Sequence, residues 1–392
     1  MNRHFLRDIA DIQTGPFGSQ LHKEDYVDIG TPIVTVEHLG NRVFTEQNLP
    51  KVSDEDKARL SKYVLKEGDI VFSRVGSVDR CSYVDAAHDG WMFSGRCLRV
   101  RPNTEVDPLY LYYFFCLEDT KQFVRNIAVG ATMPSINTKL LGEVEVAYPS
   151  QTEQQKIVAL LSALDDKIEI NQKINDNLYE MVNAYYTSLF KDVECEMTTI
   201  GNYAERIYSG GTPTTSNAAY WDGAFGWFSS GETRNRFVIS TEKTITQAGI
   251  DNSSTKLAAK HDIVMASAGQ GFTRGQTSML LIDTYVNQSV IVIHAERNVL
   301  PYLFWNLANR YEELRAISDS SSIRGSLTTK MIATFEIPLA NEESLQAFAD
   351  FSWSVIPQIE NNLLENERLA ALRDNLLPKL MSGEIDVSNI QL

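Results

Sequence analysis

The chain has 392 residues, is 43% hydrophobic and carries a formal net charge of −15. A composition this apolar can bury a large core, which excludes disorder as the main state, and the length predicts about two to three domains. No apolar run reaches the ~18 residues of a membrane span, and the first ten residues lack a signal-peptide core, so we expect a cytoplasmic chain. The acidity also argues against nucleic acid as a partner.

The first segment, residues 1–150, has the pattern of a mixed α+β domain. Turns rich in Gly, Pro and Ser separate its short β-rich runs, and one helix is predicted at Asp107–Phe123. The β-rich runs are Ile33–Val36, Asp69–Phe72, Cys97–Val100 and Gly142–Ala147.

Residues 151–196 form a predicted helical segment. From Gln151 to Asp192 there is no Gly or Pro, and apolar residues recur every three or four positions over about five heptads. Such a helix is about 60 Å long. Its predicted seam comprises Ile157, Leu161, Leu164, Ile168, Asn171, Asn175 and Leu178.

The second half of the chain repeats this order. Residues 197–340 resemble the first segment in composition, with a helix predicted at Leu300–Arg315, and residues 341–392 form the C-terminal helical segment. Its seam is less regular, because Ser352 and Arg373 fall on it and Pro357 is a potential kink. The apolar and asparagine positions of this second seam are Phe348, Val355, Ile359, Asn362, Asn366 and Leu369.

Direct sequence matches support a duplication. Gly68–Ser73 matches His261–Ala266 at an offset of 193, and Ser135–Leu140 matches Ser326–Met331 at 191. The two helices can therefore pair as an antiparallel coiled coil with pseudo-two-fold symmetry, with asparagine layers that set the register. Alternatively, each amphipathic helix packs only on its own domain.

The negative charge is concentrated in the helical segments. Residues 151–196 and 341–392 carry −5 and −6, whereas residues 1–150 carry −4 and residues 197–340 carry none. The globular segments therefore remain compatible with DNA, and their Gly- and Ser-rich loops contain arginines able to reach phosphates and base edges. The same loops are also typical of ordinary surface turns.

Motifs for intrinsic chemistry are missing. The chain has no phosphate-binding G-x-x-x-x-G-K-[ST], no H-E-x-x-H and no Asn-Pro dipeptide, which excludes the Asn-Pro-Pro-aromatic site of adenine methyltransferases. The four cysteines form no C-x-x-C pair and the histidines do not cluster, so neither a metal site nor a disulfide framework is expected. We predict a protein without catalytic residues or bound cofactor.

Several motifs together resemble the specificity (S) subunits of type I restriction-modification systems. The resemblance covers nearly the whole chain, although the first domain has no equivalent of Tyr220-Trp221-Asp222-Gly223. The motifs are Gly15-Pro16-Phe17-Gly18-Ser19, Pro149-x-x-x-Glu153-Gln154-x-x-Ile157, Leu160-Leu161-x-x-Leu164-Asp165, Gly210-Gly211-Thr212-Pro213, Tyr220–Gly223 with Trp227, and Leu376–Ile385.

The resemblance implies a function in DNA recognition without catalysis. Each target-recognition domain would read one half of a bipartite double-stranded DNA site through the major groove, and the helices would set the spacer between the half-sites. The helices would also dock two modification (methyltransferase) subunits that bind S-adenosylmethionine, and two restriction subunits that use ATP and Mg²⁺ can join them. The alternatives are a coiled-coil protein scaffold without DNA readout, a recognition subunit of a methylation-only defence system, and a standalone nuclease or methyltransferase.

Loop chemistry and the resemblance together identify candidate DNA-contacting residues. Each is a polar or charged side chain beside a Gly- or Ser-rich turn, and each could equally be an exposed turn residue. In the first domain the candidates are Arg74, Ser77, Arg80, Thr132, Ser135 and Asn137, and in the second they are Ser230, Glu232, Gln270, Arg274, Ser322 and Arg324.

Overall fold

A computed structural model describes residues 1–16, 20–190, 196–269, 272–320 and 325–388. No helix in this described part is both long enough and apolar enough to cross a membrane. The chain divides into two compact units, one made of Met1–Ile168 and Arg368–Leu392 and the other of Glu169–Glu367. The four-part division predicted from the sequence keeps each long helix whole, whereas these units divide both helices.

The first unit contains a two-stranded sheet and two four-stranded sheets. Their strand orders are β1-β10, β2-β9-β6-β7 and β3-β5-β4-β8. The elements in chain order are β1 (Asn2–Phe5), α1 (Leu6–Ile9), β2 (Ala10–Thr14), β3 (Tyr26–Val27), β4 (Thr31–Val34), β5 (Lys51–Val52), α2 (Asp54–Arg59), β6 (Ile70–Ser73), β7 (Cys81–Tyr83), β8 (Met92–Phe93), β9 (Cys97–Pro102), α3 (Pro108–Cys116), α4 (Glu118–Ile127), α5 (Thr138–Gly142), β10 (Glu145–Tyr148) and α6 (Gln151–Phe190), whose C-terminal part belongs to the second unit.

The second unit has sheets β11-β21, β12-β20-β17-β18-β14 and β15-β13-β19-β16. Its elements are β11 (Met197–Thr199), α7 (Ile200–Tyr203), β12 (Ala204–Ser209), β13 (Trp221–Phe228), β14 (Phe237–Val238), β15 (Lys243–Ile245), α8 (Gln247–Asp251), β16 (Lys256–Ala258), β17 (Ile263–Ala266), β18 (Thr277–Leu280), β19 (Thr284–Val286), β20 (Val290–Ala295), α9 (Leu300–Asn309), α10 (Tyr311–Ser320), α11 (Thr329–Ala333), β21 (Glu336–Pro338) and α12 (Glu342–Ser382), whose C-terminal part belongs to the first unit.

The two domains share most of their strand pairings, although the larger sheet of the second domain has a fifth strand, β14, parallel to β18. Strand β9 pairs antiparallel with β2 and β6, as β20 does with β12 and β17, and each second sheet contains one parallel pair, β4 with β8 and β13 with β19. Strands β6 and β17 are almost entirely apolar because both of their faces are buried. In β6, Ile70 and Phe72 face one core cluster and Val71 faces another.

The helical region that follows β9 in the first domain and β20 in the second differs from its prediction. A single helix was expected over Asp107–Phe123 and over Leu300–Arg315, but each region contains two. Leu117 adopts an extended conformation (φ −59°, ψ 134°) and ends α3, and Arg310 (φ −114°, ψ 27°) ends α9. These backbone breaks occur within apolar patterns that look continuous in the sequence.

In the first unit, α6 meets the end of α12 through a polar contact. Arg373 Nη1 lies 2.6 Å from Asp165 Oδ1, and the Tyr113 hydroxyl donates to Asp165 Oδ2 at 2.7 Å. Around it, Ile157 and Leu161 share an apolar core with α3. That core also contains Leu377, Leu380 and Met381 of the C-terminal motif, so this motif packs on the first domain.

In the second unit, asparagines join the same two helices. Asn171 Nδ2 donates to Asn366 Oδ1 at 2.9 Å, and Asn362 Nδ2 donates to Asn175 Oδ1 at 2.8 Å. Residue numbers rise along α6 as they fall along α12, so the segments run antiparallel. Of the predicted seam, Ile157, Leu161, Asn171, Phe348, Val355 and Ile359 are buried, and Leu164, Ile168, Asn175, Leu178, Asn362, Asn366 and Leu369 are half-buried.

These features confirm the predicted fold class of two α+β domains, each followed by a long helix that pairs antiparallel with the other. Each helix contributes residues to the cores of both units, which differs from helices that pack only on their own domains. Helix α12 continues through Pro357 and Pro378, both of which are exposed.

Candidate nucleic-acid interface

Three distant loops of the first domain form one surface, which we call platform 1: residues 74–80, 94–96 and 129–137. The Arg74 amide donates to the Arg96 carbonyl at 2.8 Å, and the Ile136 amide donates to the Arg74 carbonyl at 2.9 Å. A third bond joins the Gly76 amide to the Pro134 carbonyl at 2.8 Å. The structure therefore brings the sequence-predicted residues of this domain together.

The second domain builds the same surface, platform 2, from the described residues of 267–276, 287–289 and 325–327. The Ser267 amide donates to the Ser289 carbonyl, and the Leu327 amide donates to the Ser267 carbonyl, both at 2.8 Å. Ser267 and Ser289 stand at the offset of 193 from Arg74 and Arg96, so the same main-chain bonds recur in both copies. Main-chain bonds leave the side chains free to differ.

A glycine turn approaches each platform after the first long strand. A Cβ on Gly15 would lie 2.1 Å from the Ser94 carbonyl oxygen, and one on Gly210 would lie 1.9 Å from that of Val286. Only glycine permits this approach, which gives a physical reason for two of the motif glycines. The Trp227 indole N–H anchors the second turn by donating to the Gly211 carbonyl at 3.2 Å. Residues 17–19 of the first turn lie outside the described part.

Platform 1 is rich in arginine. Arg74 Nη1 donates to the Gly95 carbonyl at 2.9 Å, and the guanidinium of Arg80 donates to the Leu39 carbonyl. Neither Arg80 nor Arg96 forms an ion pair with a carboxylate in the part of the chain that the structure describes, and both side chains are exposed. Arg96 is not among the candidates predicted from the sequence, because its proximity to Arg74 depends on the fold.

The remaining first-domain candidates divide by what their side chains contact. Ser77 and Thr132 are exposed on the platform loops. Ser135 donates to the Val129 carbonyl at 3.2 Å, and Asn137 accepts the Leu140 amide at 2.9 Å as the N-cap of α5. These two side chains thus have local structural roles as well.

Two second-domain candidates have structural roles that the sequence did not reveal. Glu232 is 3% exposed, and its carboxylate accepts the amides of Ser229 at 2.7 Å and Glu242 at 2.9 Å. It is one half of a capping box, whose counterpart in the first domain uses Thr35 and His38. Both carboxylate oxygens of Glu232 thus already accept main-chain amides, and its DNA contact stays a prediction.

Arg274 is 8% exposed and holds platform 2 together. Its guanidinium pairs with Asp319 and donates to the Gly325 carbonyl at 2.8 Å. Ser230 is half-buried, and its carbonyl accepts the Thr233 hydroxyl at 2.8 Å. Gln270, Ser322 and Arg324 lie outside the described residues, so their predicted DNA contacts stay predictions.

Potential metal ligands and cysteine thiols are present among the described residues. Among them, no group of three His, Cys, Asp or Glu side chains is arranged to hold a metal ion. Burial raises the pKa of the Cys97 thiol to about 12 and that of Cys116 to about 11, so neither is a thiolate at neutral pH.

Comparison with known proteins gives the family. Residues 2–180 and 193–367 match the model of the type I restriction modification DNA specificity domain. The HindI specificity subunit of Haemophilus influenzae is 21% identical, with 84% of this chain and 89% of that protein aligned. The MjaIX specificity subunit of Methanocaldococcus jannaschii is 22% identical, with 98% and 93% aligned.

A solved structure shares the fold. The S subunit of a type I restriction-modification system from M. genitalium superposes with a TM-score of 0.57 at 17% identity, over 97% of this chain and 95% of that one. The family model is matched twice and spans most of the sequence. The chain therefore belongs to the specificity subunits of type I restriction-modification systems.

Proposed function

We propose that this chain is the non-catalytic subunit that selects the DNA sequence for a type I restriction-modification complex. Each platform reads one half of a bipartite site. The observation that carries this proposal is the recurrence, in both domains, of the same main-chain bonds between three loops. That arrangement presents several side chains on one surface while allowing their identities to vary.

Platform 1 has the chemistry expected of a major-groove reader. Arginine can bind guanine through two hydrogen bonds, and serine or threonine can bond to several bases. Arg96 and Arg80 lack a carboxylate partner in the described residues, so little competes with DNA for their charge. Platform 2 offers the half-buried hydroxyl of Ser289 instead, and Thr212 of the neighbouring glycine turn donates its hydroxyl to Gln288 of the platform.

We also propose that the helix pair sets the spacer and docks the partner subunits. The helical segments carry −11 of the net charge, which suits protein surfaces better than DNA. Two modification subunits would supply S-adenosylmethionine and adenine methylation, and two restriction subunits would supply ATP- and Mg²⁺-dependent cleavage. The chain itself would act by positioning these partners on the site.

The direct test measures DNA binding by the chain in complex with its modification subunits. Replacing Arg74 and Arg96 by alanine should weaken binding to the cognate duplex by about 1–3 kcal/mol for each base that an arginine no longer binds, and should relax one half-site only. The matched control is Arg3→Ala, because the Arg3 side chain is 69% exposed on β1 outside the platform. Equal binding by the double variant and the control would contradict the proposal for platform 1. A wild-type complex that binds all duplexes alike would favour the scaffold alternative.

The spacer role has its own test. A heptad inserted in both helices, after Ile168 and after Glu367, lengthens the pair by about 10 Å without changing which faces meet. The methylated motif should keep both half-sites and gain about three base pairs of spacer. Altered half-sites with an unchanged spacer would contradict this role.

A further inference from the structure

A basic groove on the second domain is lined by none of the candidate residues considered above. Arg206, Ile207 and Tyr208 of β12 line one side, and Lys256 and Leu257 of β16 line the other. The Arg206 guanidinium lies 6.0 Å from the centroid of the Tyr208 ring, and the Lys256 ammonium lies 5.5 Å from the same centroid. The same aromatic ring thus lies close to both cations.

The ring is itself held in position. The Tyr208 hydroxyl donates to the Leu257 carbonyl at 2.8 Å and so joins the two strands. Burial, followed by the charge of Asp262, raises the pKa of Tyr208 to about 12, so the hydroxyl remains a donor at neutral pH. The groove is therefore preformed rather than assembled from independent surface side chains.

Neither cation has a carboxylate partner among the residues that the structure describes. Glu205, the neighbour of Arg206, lies 3.5 Å from His294 Nε2. Asp262 is 1% exposed, and its carboxylate accepts His294 Nδ1 at 2.5 Å and the Ala259 amide at 2.9 Å. Two exposed, unpaired charges beside an aromatic ring favour an anionic ligand.

The groove leads to platform 2. Tyr208 stands two residues before the glycine turn at Gly210, and a Cβ on Gly211 would meet the Thr255 amide at 2.8 Å, next to Lys256. Thr255 also donates its hydroxyl to the Val286 carbonyl at 3.0 Å. A duplex lying on platform 2 would therefore have its backbone within reach of the groove.

The first domain has the opposite charge at this place. At the offset of 195, Asp11 stands where the second domain has Arg206, and Asp11 pairs with Arg99. Gln13 stands in place of Tyr208. The first domain instead carries exposed arginines on its platform, whereas Arg274 of platform 2 is committed to Asp319.

We propose that Arg206 and Lys256 bind backbone phosphates of duplex DNA beside the half-site that the second domain reads, with Tyr208 holding both side chains in place. This inference rests on the proposed function, because it takes DNA on platform 2 as given. Contacts of this kind position the domain and add affinity without reading sequence. They supply unpaired positive charge next to platform 2, where Arg274 is already ion-paired with Asp319.

The test measures the salt dependence of DNA binding by the complex with its modification subunits. Two duplexes are used, one with the methylated motif of the host and one with the same bases scrambled. In the variant Arg206→Gln with Lys256→Gln, the slope of log K against log salt should be smaller in magnitude by about 2, at ~0.9 per phosphate bound. Affinity should fall by the same factor on both duplexes.

The control is Lys330→Gln, which removes an exposed charge on α11 of the same domain and should leave the slope unchanged. An unchanged slope in the double variant, with an unchanged melting temperature, would overturn the inference. A loss of affinity restricted to the duplex with the motif would also overturn it, since that result indicates a base contact. If the wild-type complex fails to distinguish the two duplexes, the proposed function fails instead.

Discussion

The two long helices contact the two domains through different chemistry. In the first unit the contact is polar: Asp165 of α6 pairs with Arg373 of α12 and accepts the hydroxyl of Tyr113 from α3. Burial alone would lower the pKa of Arg373, but the hydrogen bonds and charges of Asp165 and Asp374 outweigh it and the pKa is raised. The guanidinium of Arg373 therefore stays protonated.

At the corresponding places of the second unit the contact is apolar. The offsets of 191 and 193 bring Ile356 to the position of Asp165, Val182 to that of Arg373 and Asn306 to that of Tyr113. Val182 and Ile356 are buried in a core rich in aromatic rings, and Asn306 donates to the Tyr186 hydroxyl at 2.9 Å.

This difference shows which parts of the duplicated unit depend on side chains. Most of the strand pairings and the platform bonds recur because the main chain makes them. The residues of the helix contact differ in chemistry between the two units, although the fold is kept. A buried ion pair contributes little net stability compared with apolar packing, but it is costly to break. The two contacts should therefore respond differently to substitution.

The largest effect is expected for Asp165→Ala. It leaves the partly buried Arg373 with only the exposed Asp374 as a counter-charge and Tyr113 without its acceptor, at a cost of about 3 kcal/mol. Hydrogen exchange should show reduced protection in residues 151–168 and 368–382, with 169–190 unchanged. The control is Asp166→Ala, since Asp166 is 55% exposed and its pair with Arg42 is correspondingly weak. Equal reductions in both variants would contradict the polar contact.

An intermediate effect is expected at Gly68, in the turn before β6, whose counterpart is the turn before β17. Gly68 has φ +91°, whereas its counterpart His261 adopts φ +78° and has its ring 4.7 Å from that of Trp353. Gly68→Ala forms no such ring contact and has Pro108 Cγ at 3.3 Å, so it should destabilise the fold by about 1–2 kcal/mol. Urea unfolding measures the change, and Gly231→Ala, whose site is open, should be nearly neutral. A neutral Gly68→Ala would mean that the turn relaxes.

The smallest effect is expected when the first contact is made apolar. The triple variant Tyr113→Phe, Asp165→Ile and Arg373→Val removes every member of the polar contact and introduces the two aliphatic residues of the second unit. Its thermal stability should stay within about 1 kcal/mol of the original, because no buried charge is left unpaired. A destabilisation as large as that of Asp165→Ala would show that the ion pair itself stabilises the unit.

Much of the architecture was predictable from the sequence because it depends on periodicity and repetition. The helical seams, the asparagine layers and the duplication are all visible as spacings, and the structure pairs Asn171 with Asn366 and Asn175 with Asn362. The helix breaks at Leu117 and Arg310 were not predictable, since neither residue is a typical helix breaker.

The candidate site was less predictable, because it depends on contacts between distant loops. Arg96 becomes a candidate only when its carbonyl accepts the Arg74 amide. Glu232 and Arg274 have the residue types of DNA ligands. In the structure, however, Glu232 caps a short helix, and Arg274 donates to the Gly325 carbonyl and pairs with Asp319. The Ser229-x-x-Glu232 spacing is a capping box, and it was the one signal in the sequence that could have identified this role.

The most direct test of the central claim is the methylome of a host with and without this gene. If each domain reads half of a bipartite site, deletion removes one bipartite adenine-methylation motif. Restoring the chain restores the motif, and restoring the Arg74→Ala, Arg96→Ala variant relaxes only one of its halves. A methylome that does not change on deletion would contradict an active specificity role in that host.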